Sequence, residues 1–336
     1  MTTPAHNPLN GVTAAIWTEG AVVHKVLTRR REAPAHWAAS SDPRHWNYWK
    51  REALAYATEL PARLGLGAPR LLGIDTTPEG DIELRLEQVT GRHAGALTVD
   101  DLEAVAEVLG RAQGRPELPD DEWLSRGFLR TYGGSRAVDG ALLDDDDAWN
   151  RPLMREHFGP DLRQDLIRLH AARDRLLALS EALPRTVCHL DVWPNNVIRR
   201  PGGEVVFLDW AFAGDGAIGE DVGNLVPDAV FDLLLPHDQL DELDTRLTRA
   251  YVDGLRDAGW TGDERLVRLG ICASAVKYDW LTAYCLEHAS AAVHLDYGRG
   301  APVGAGARYA ARAAGLALCA RWAREAEALA GALGLQ

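Results

Sequence analysis

The spacing of apolar positions changes character once along this chain of 336 residues. From Val12 to Thr28, two runs rich in β-branched residues, VTAAIWT and AVVHKVLT, flank Glu19-Gly20, which predicts an antiparallel hairpin. Residues 46–60, WNYWKREALAYATEL, put Trp49, Ala53, Tyr56 and Leu60 on one face at helical spacing, and Pro61 is expected to help end that helix. PRLLGIDT and DIELRLEQV, separated by Pro78-Glu79-Gly80, predict a second hairpin. Past Thr90-Gly91 the period becomes helical, with helices expected over 99–113, 162–183, 238–258, 263–290 and 305–333. Strands first and helices afterwards indicate an α+β architecture, with an N-terminal lobe over 1–88 and a larger, mainly helical lobe over 89–336.

Composition narrows the class of molecule. A chain that is 46% hydrophobic and 25% charged is an ordinary folded one, long enough for two unequal cores. A formal net charge of −13 argues against a nucleic-acid surface and leans towards a neutral or cationic partner. Cys188, Cys272, Cys285 and Cys319 form no CxxC pair and are expected to be reduced. The N-terminus lacks a targeting pattern. The 305–333 helix carries Arg308, Arg312, Arg321, Arg324, Glu325 and Glu327, so it reads as packed rather than membrane-spanning, and the expected location is cytoplasmic with no membrane partner. Asp144–Asp147 is expected to be a solvated loop.

Between two helical stretches, Thr186–Asp221 combines extended runs with unusual polar residues. In VCHLDVWPNNVIRR the spacing His189-x-Asp191-x-x-x-x-Asn196 precedes a strand, VVFLDW, that ends in Asp209. Phosphoryl transfer needs a carboxylate to orient a hydroxyl and accept its proton, and oxygen donors for magnesium. Asp191 suits the first role as the catalytic residue, and Asn196 with Asp209 the second.

The forms HLDVWPNN and FLDWAFAGDGAIGEDVGNL resemble those of aminoglycoside phosphotransferases and their choline kinase-like relatives, which share the protein-kinase-like two-lobed fold. The resemblance implies a catalytic loop at 187–199 and makes Asp221 the buried brace of that loop, with His189 also structural. ATP is the implied donor, with GTP not excluded, and Mg²⁺ the implied metal. The order Lys25, Glu52, hairpin, helices, His-x-Asp matches the kinase arrangement, so Lys25 on its strand is expected to reach phosphate oxygens with Glu52 as its ion-pair partner. Glu87, Gln88 and Val89 fall where the family's hinge meets adenine. No Gly-x-Gly-x-x-Gly precedes the first hairpin, and Asn7-Pro8-Leu9-Asn10-Gly11 is the one candidate for covering the phosphates.

The acceptor is the open part. Trp193, Trp210, Asp215, Tyr278, Asp279, Trp280 and Glu287 could form an aromatic and acidic pocket for an amine-bearing or sugar-like small molecule with a free hydroxyl. The same aromatic residues also fit simple core packing. A kinase for an amine-bearing antibiotic or aminosugar, a kinase for choline, a sugar or an amino alcohol, a nucleotide-binding pseudokinase and a metal-dependent hydrolase all stay open at this point. Oligomeric state leaves no trace in the sequence.

Overall fold

The protein is described here by a computed structural model covering residues 9–115, 119–136, 139–290 and 303–335; Asn7 and Pro8 of the expected phosphate-covering segment lie outside the described residues. Strands β1 (Thr13–Glu19) and β2 (Val22–Leu27) form the first hairpin, closed by Gly20 at φ 60°. The helical stretch 46–60 does not run unbroken. Helix α1 spans Arg51–Ala57, the chain reverses at Glu59 with φ 53°, and α2 spans Leu60–Leu64. Pro61 sits in the first turn of α2, where its missing amide costs nothing, so it opens a second helix, the first having already ended at Ala57.

Strands β3 (Leu71–Thr76) and β4 (Ile82–Glu87) complete an antiparallel sheet in the order β1-β2-β4-β3. Lys25 pairs across to Leu84 in this register. Lys25, Leu27, Leu84 and Leu86 are all buried. Strand alternation therefore aims the Lys25 ammonium into the interior together with its aliphatic neighbours.

Beyond β5 (Arg92–His93) the chain is mainly helical. Helix α3 (Val99–Gln113) opens with a reciprocal capping box between Thr98 and Asp101. Four short helices follow: α4 (Phe128–Ser135), α5 (Ala141–Asp144), α6 (Asp146–Trp149) and α7 (Pro152–His157). The expected acidic loop at 144–147 is thus two single turns, with the Asp145 carboxylate accepting the Asp147 amide as the cap of α6. The expected helix 162–183 is divided at Ala172 into α8 (Pro160–Ala171) and α9 (Arg173–Ala182).

Strand β6 (Arg185–Cys188) leads into the segment that carries Asp191 and Asn196, and β7 (Val197–Arg199) and β8 (Val205–Phe207) lead out of it. Two small sheets result, β5-β7-β8 and β6-β9, with β9 at Gly214–Ala217. Helices α10 (Glu220–Phe231), α11 (Leu240–Asp257), α12 (Glu264–Ala273), α13 (Asp279–His288) and α14 (Ala305–Leu333) build the rest. The expected helix 263–290 is interrupted by a 3-10 turn, Ser274–Tyr278, at which the Ser274 hydroxyl donates back to the Gly270 carbonyl. Helices α3 and α11 touch backbone to backbone: a Cβ on Gly110 would lie 2.1 Å from the Tyr251 carbonyl, and one on Gly254 2.1 Å from that of Glu107. The four cysteines are buried and free. Among the described residues, no helix is long and apolar enough to cross a membrane.

Candidate active site

Three elements deliver charge to one point. Lys25 Nζ, from β2, lies 2.6 Å from Glu52 Oε2 on α1 and 3.1 Å from Asp209 Oδ1 just past β8. Burial pulls the Lys25 pKa down, but Asp209 and Glu52 outweigh it and the ammonium is held charged above its usual range. Burial also pushes Glu52 up, against the opposing pull of Lys25. Asp209 sits in the left-handed region at φ 57°; its side chain stays 38% exposed as a whole, but the oxygen that meets Lys25, Oδ1, is buried.

Arg51, adjacent to Glu52, fixes α1 against the helical portion. Its guanidinium donates to five backbone carbonyls: Trp123 at 3.0 Å, Trp46 at 2.8 Å, Ala211 at 3.1 Å, and Pro43 and His45 both at 2.7 Å. A fully buried cation with no carboxylate in that shell loses stabilisation on desolvation, and its pKa falls to about 9. Only a planar fork with five N–H groups can serve this many acceptors.

The segment at His189 and Leu190 is held by Asp221. Its carboxylate accepts the amides of His189 at 2.9 Å and Leu190 at 2.8 Å, and the side chain of Gln113 at 2.7 Å. Tyr251 bridges Gln113 to the Gly219 amide, tying α3 and α11 to the loop. Leu190 lies at φ 65°, a conformation costly for a branched side chain, and the two amide bonds to Asp221 offset that cost. His189 Nε2 is 2.9 Å from the Leu208 carbonyl, while its Nδ1 faces the Asp191 amide at 3.3 Å. One partner can only accept and the other only donate, so the imidazole carries its proton on Nε2 and is neutral, as burial also dictates.

Asn196 Nδ2 donates to Asp191 Oδ2 at 2.8 Å and to the Asp191 carbonyl at 2.9 Å. That commits both amide protons and leaves the Asn196 carbonyl oxygen for a cation. The Leu208 amide donates to the Asn196 backbone oxygen at 2.8 Å, which keeps Asn196 beside the strand carrying Asp209. Asp191 is half-buried; burial first, then the Asp209 charge, raise it to about 7, against the pull of Lys277. An amide oxygen and a part-exposed carboxylate, beside a second carboxylate and with Lys25 opposite, form a hard donor set suited to a divalent cation that keeps its other ligands from phosphates and water. Among the described residues there is no group of three or more His, Cys, Asp or Glu that could hold a metal ion.

Other candidates fall in different places. Glu87 spends its carboxylate on Arg200 at 2.9 Å and its amide on the Arg70 carbonyl, Gln88 gives its amide to Ala21, and Val89 follows at the end of β4. Trp210 is fully buried, packs 4.7 Å from the His189 ring and donates to Phe207, so it lies in the core beneath the loop and not in an acceptor pocket. Tyr278 is also core, its hydroxyl donating to Asn224. Asp215 is engaged by Arg185 at 3.1 Å and Arg126 at 3.5 Å, and Asp279 by His170 at 2.9 Å and Arg173 at 3.6 Å. Trp193 and Trp280 are half-buried, and Glu287 is largely exposed.

Arg51, Gln113, Tyr251, Lys277 and Asp228 escape a reading of the sequence alone. A signal exists for Lys277: the chain has only three lysines, at 25, 50 and 277, among 36 Lys and Arg, and Lys25 and Lys277 are the two that are buried.

The Phosphotransferase enzyme family model matches residues 25–262. Among solved structures, the fold is similar to that of amicoumacin kinase hAmiN in complex with AMP-PNP, Ca2+ and Ami, at TM-score 0.53 and 12% identity, over 97% of this chain and 88% of that one. It is also similar to a choline/ethanolamine kinase family protein from Mesorhizobium loti, at TM-score 0.50 and 18% identity, over 98% of this chain and 92% of that one. No curated protein matches the sequence. The matched span begins at Lys25 and takes in Asp191, Asn196, Asp209 and Asp221, and on that match the chain belongs to the phosphotransferase enzyme family, as a small-molecule kinase.

Proposed function

We propose that this protein transfers the γ-phosphoryl group of ATP to a hydroxyl group of a small molecule. The observation that carries the proposal is Lys25 held between Glu52 and Asp209, from two different parts of the fold, beside an Asp191 that Asn196 orients. In this reading residues 1–88 serve the nucleotide, Lys25 reaches its phosphate oxygens, and Val89 marks the adenine end of the cleft. Asn196 and Asp209 would hold Mg²⁺, which when bound neutralises charge on the phosphates. Asp191, with one oxygen bonded to Asn196, keeps the other for the acceptor hydroxyl, and its raised pKa of about 7 suits proton acceptance near neutrality. His189 and Asp221 contribute by fixing the loop.

Support for an amine-bearing antibiotic or aminosugar as acceptor is weak in the geometry. Of the acids expected to receive an amine, Asp215 and Asp279 are already paired with basic side chains, and Glu287 is exposed.

The test is transfer of label from γ-labelled ATP to a panel of aminoglycosides, peptide antibiotics, choline, aminosugars and hydroxy amino acids. Asp191→Ala is expected to abolish transfer while sparing nucleotide binding, and Asp209→Ala to weaken magnesium-dependent nucleotide binding itself. Near-normal turnover by Asp191→Ala would remove Asp191 from the role of base.

A further inference from the structure

Lys277 brings a basic side chain close to Asp191, and Arg136 and Arg312 lie further along the same helical part of the fold. Lys277, in the 3-10 turn before α13, is buried, pairs with Asp228 at 3.2 Å, and lies close enough to Asp191 for each to influence the other's ionisation. Its ammonium is 5.9 Å from the centre of the Tyr132 ring. The Arg136 guanidinium lies 4.7 Å from that same ring, 4.8 Å from Trp37 and 4.1 Å from Trp280. Among the described residues no carboxylate lies within 4 Å of Arg136, whose one side-chain hydrogen bond goes to the Tyr132 hydroxyl. Behind Trp280, which meets Tyr284 edge to face, Arg312 stands 5.4 Å from the Tyr284 ring, buried, with Nη1 lacking a hydrogen-bond partner.

Lys277 pairs with Asp228 and Arg312 acts on Asp232, which burial raises to about 6, while Arg136 adds a further positive charge in a chain that is strongly negative as a whole. Aromatic faces hold a guanidinium in place through its π-surface and leave its in-plane N–H groups free to fork a carboxylate or phosphate. Three rings already occupied by Arg136 form a poor receptor for a ligand amine.

We propose that the acceptor carries, besides its hydroxyl, a carboxylate or phosphate group that Arg136 receives from its seat on Trp37, Tyr132 and Trp280. This specificity rests on the phosphotransferase reading above, and Lys277, nearer Asp191, extends the same positive field towards the reacting hydroxyl.

The test uses the full chain with AMP-PNP and magnesium, and reads binding by calorimetry, which requires no phosphoryl transfer. The probes are gluconate and glucose 6-phosphate against glucose and glucosamine. At least one anion is expected to bind tenfold or more tightly than both glucose and glucosamine, and the better anion tells carboxylate from phosphate. Arg136→Gln should remove the preference, whereas Arg136→Lys should keep part of it. Binding of glucose or glucosamine as tight as that of the anions, no binding by either anion, or a preference that survives Arg136→Gln overturns the proposal. Hydrolysis of ATP by the wild-type chain, measured in parallel without probe, addresses the phosphotransferase reading separately.

Discussion

The Asp221 carboxylate accepts the Leu190 amide at 2.8 Å and so holds a leucine in a left-handed conformation one residue before Asp191. A side chain on α10 thereby sets the backbone direction at the proposed base. Asp221→Asn would turn one acceptor into a donor facing N–H groups. Leaving such buried groups unmatched costs on the order of 1–3 kcal/mol each. The variant is expected to melt several degrees lower and to lose phosphoryl transfer by more than tenfold, read by thermal denaturation and by turnover with ATP. A variant with the wild-type melting temperature and turnover would show that Asp221 does not brace the loop.

Lys25 and Glu52 form a buried pair, so removing either leaves a buried charge. Glu52→Ala still leaves Lys25 with Asp209 as a partner, whereas Lys25→Ala abandons two carboxylates. Lys25→Ala is thus the more damaging change, with a loss on the order of 10²-fold in kcat/KM for ATP, as for removal of one preorganised charge-stabilising donor. A double-mutant cycle should give a coupling above about 0.5 kcal/mol; strict additivity would disprove the contact.

Glu220 supplies a pH signature of its own, apart from Asn196 and Asp209. Burial lifts its pKa to about 7, with the Ala217 amide its hydrogen-bond donor and Oε1 without a partner. The folded state retains this proton where the unfolded chain has lost it, so stability falls as pH rises from about 4.5 to about 7. The contribution is on the order of 3 kcal/mol. Glu220→Gln should flatten that part of the stability–pH curve, measured by urea denaturation at several pH values. A variant with the same slope as wild type would exclude Glu220 as its source.

At the α3–α11 crossing the packing leaves no room for a methyl group. Gly110→Ala would gain up to about 1 kcal/mol of helix propensity, yet its Cβ would fall 2.1 Å from the Tyr251 carbonyl. Backbone cannot retreat as a flexible side chain can. A net loss of about 1–3 kcal/mol is expected, and because α3 and α11 also carry Gln113 and Tyr251, turnover should fall with it. Equal or higher stability of the variant would show that the helices can separate at little cost.

Helix limits were most legible where periodicity and caps agree. Val99–Gln113 and Ala305–Leu333 follow from apolar spacing, the first reinforced by Thr98 and Asp101. The break at Glu59 and the 3-10 turn at Ser274–Tyr278 are not legible, because each keeps the apolar rhythm of a longer helix while tertiary contacts bend the backbone. Short helices between 128 and 157 span too few turns to show a period. In the site, the spacing around Asp191 and the strand position of Lys25 point to one location, since both depend on local geometry. The acceptor wall is different: Trp210 and Tyr278 read alike whether they face a ligand or a core, and Asp215 and Asp279 look available until their arginine and histidine partners are placed.

Arg51 binds main-chain oxygens alone, and every residue type provides those equally well. Substitutions at Trp46, Trp123 or Ala211 can alter side chains around the cleft without removing an acceptor from its guanidinium. The orientation of α1 is thereby insulated from changes in the chemistry of its surroundings. Such a molecule can be re-tuned for a new acceptor while the arrangement that positions Glu52 stays as it is.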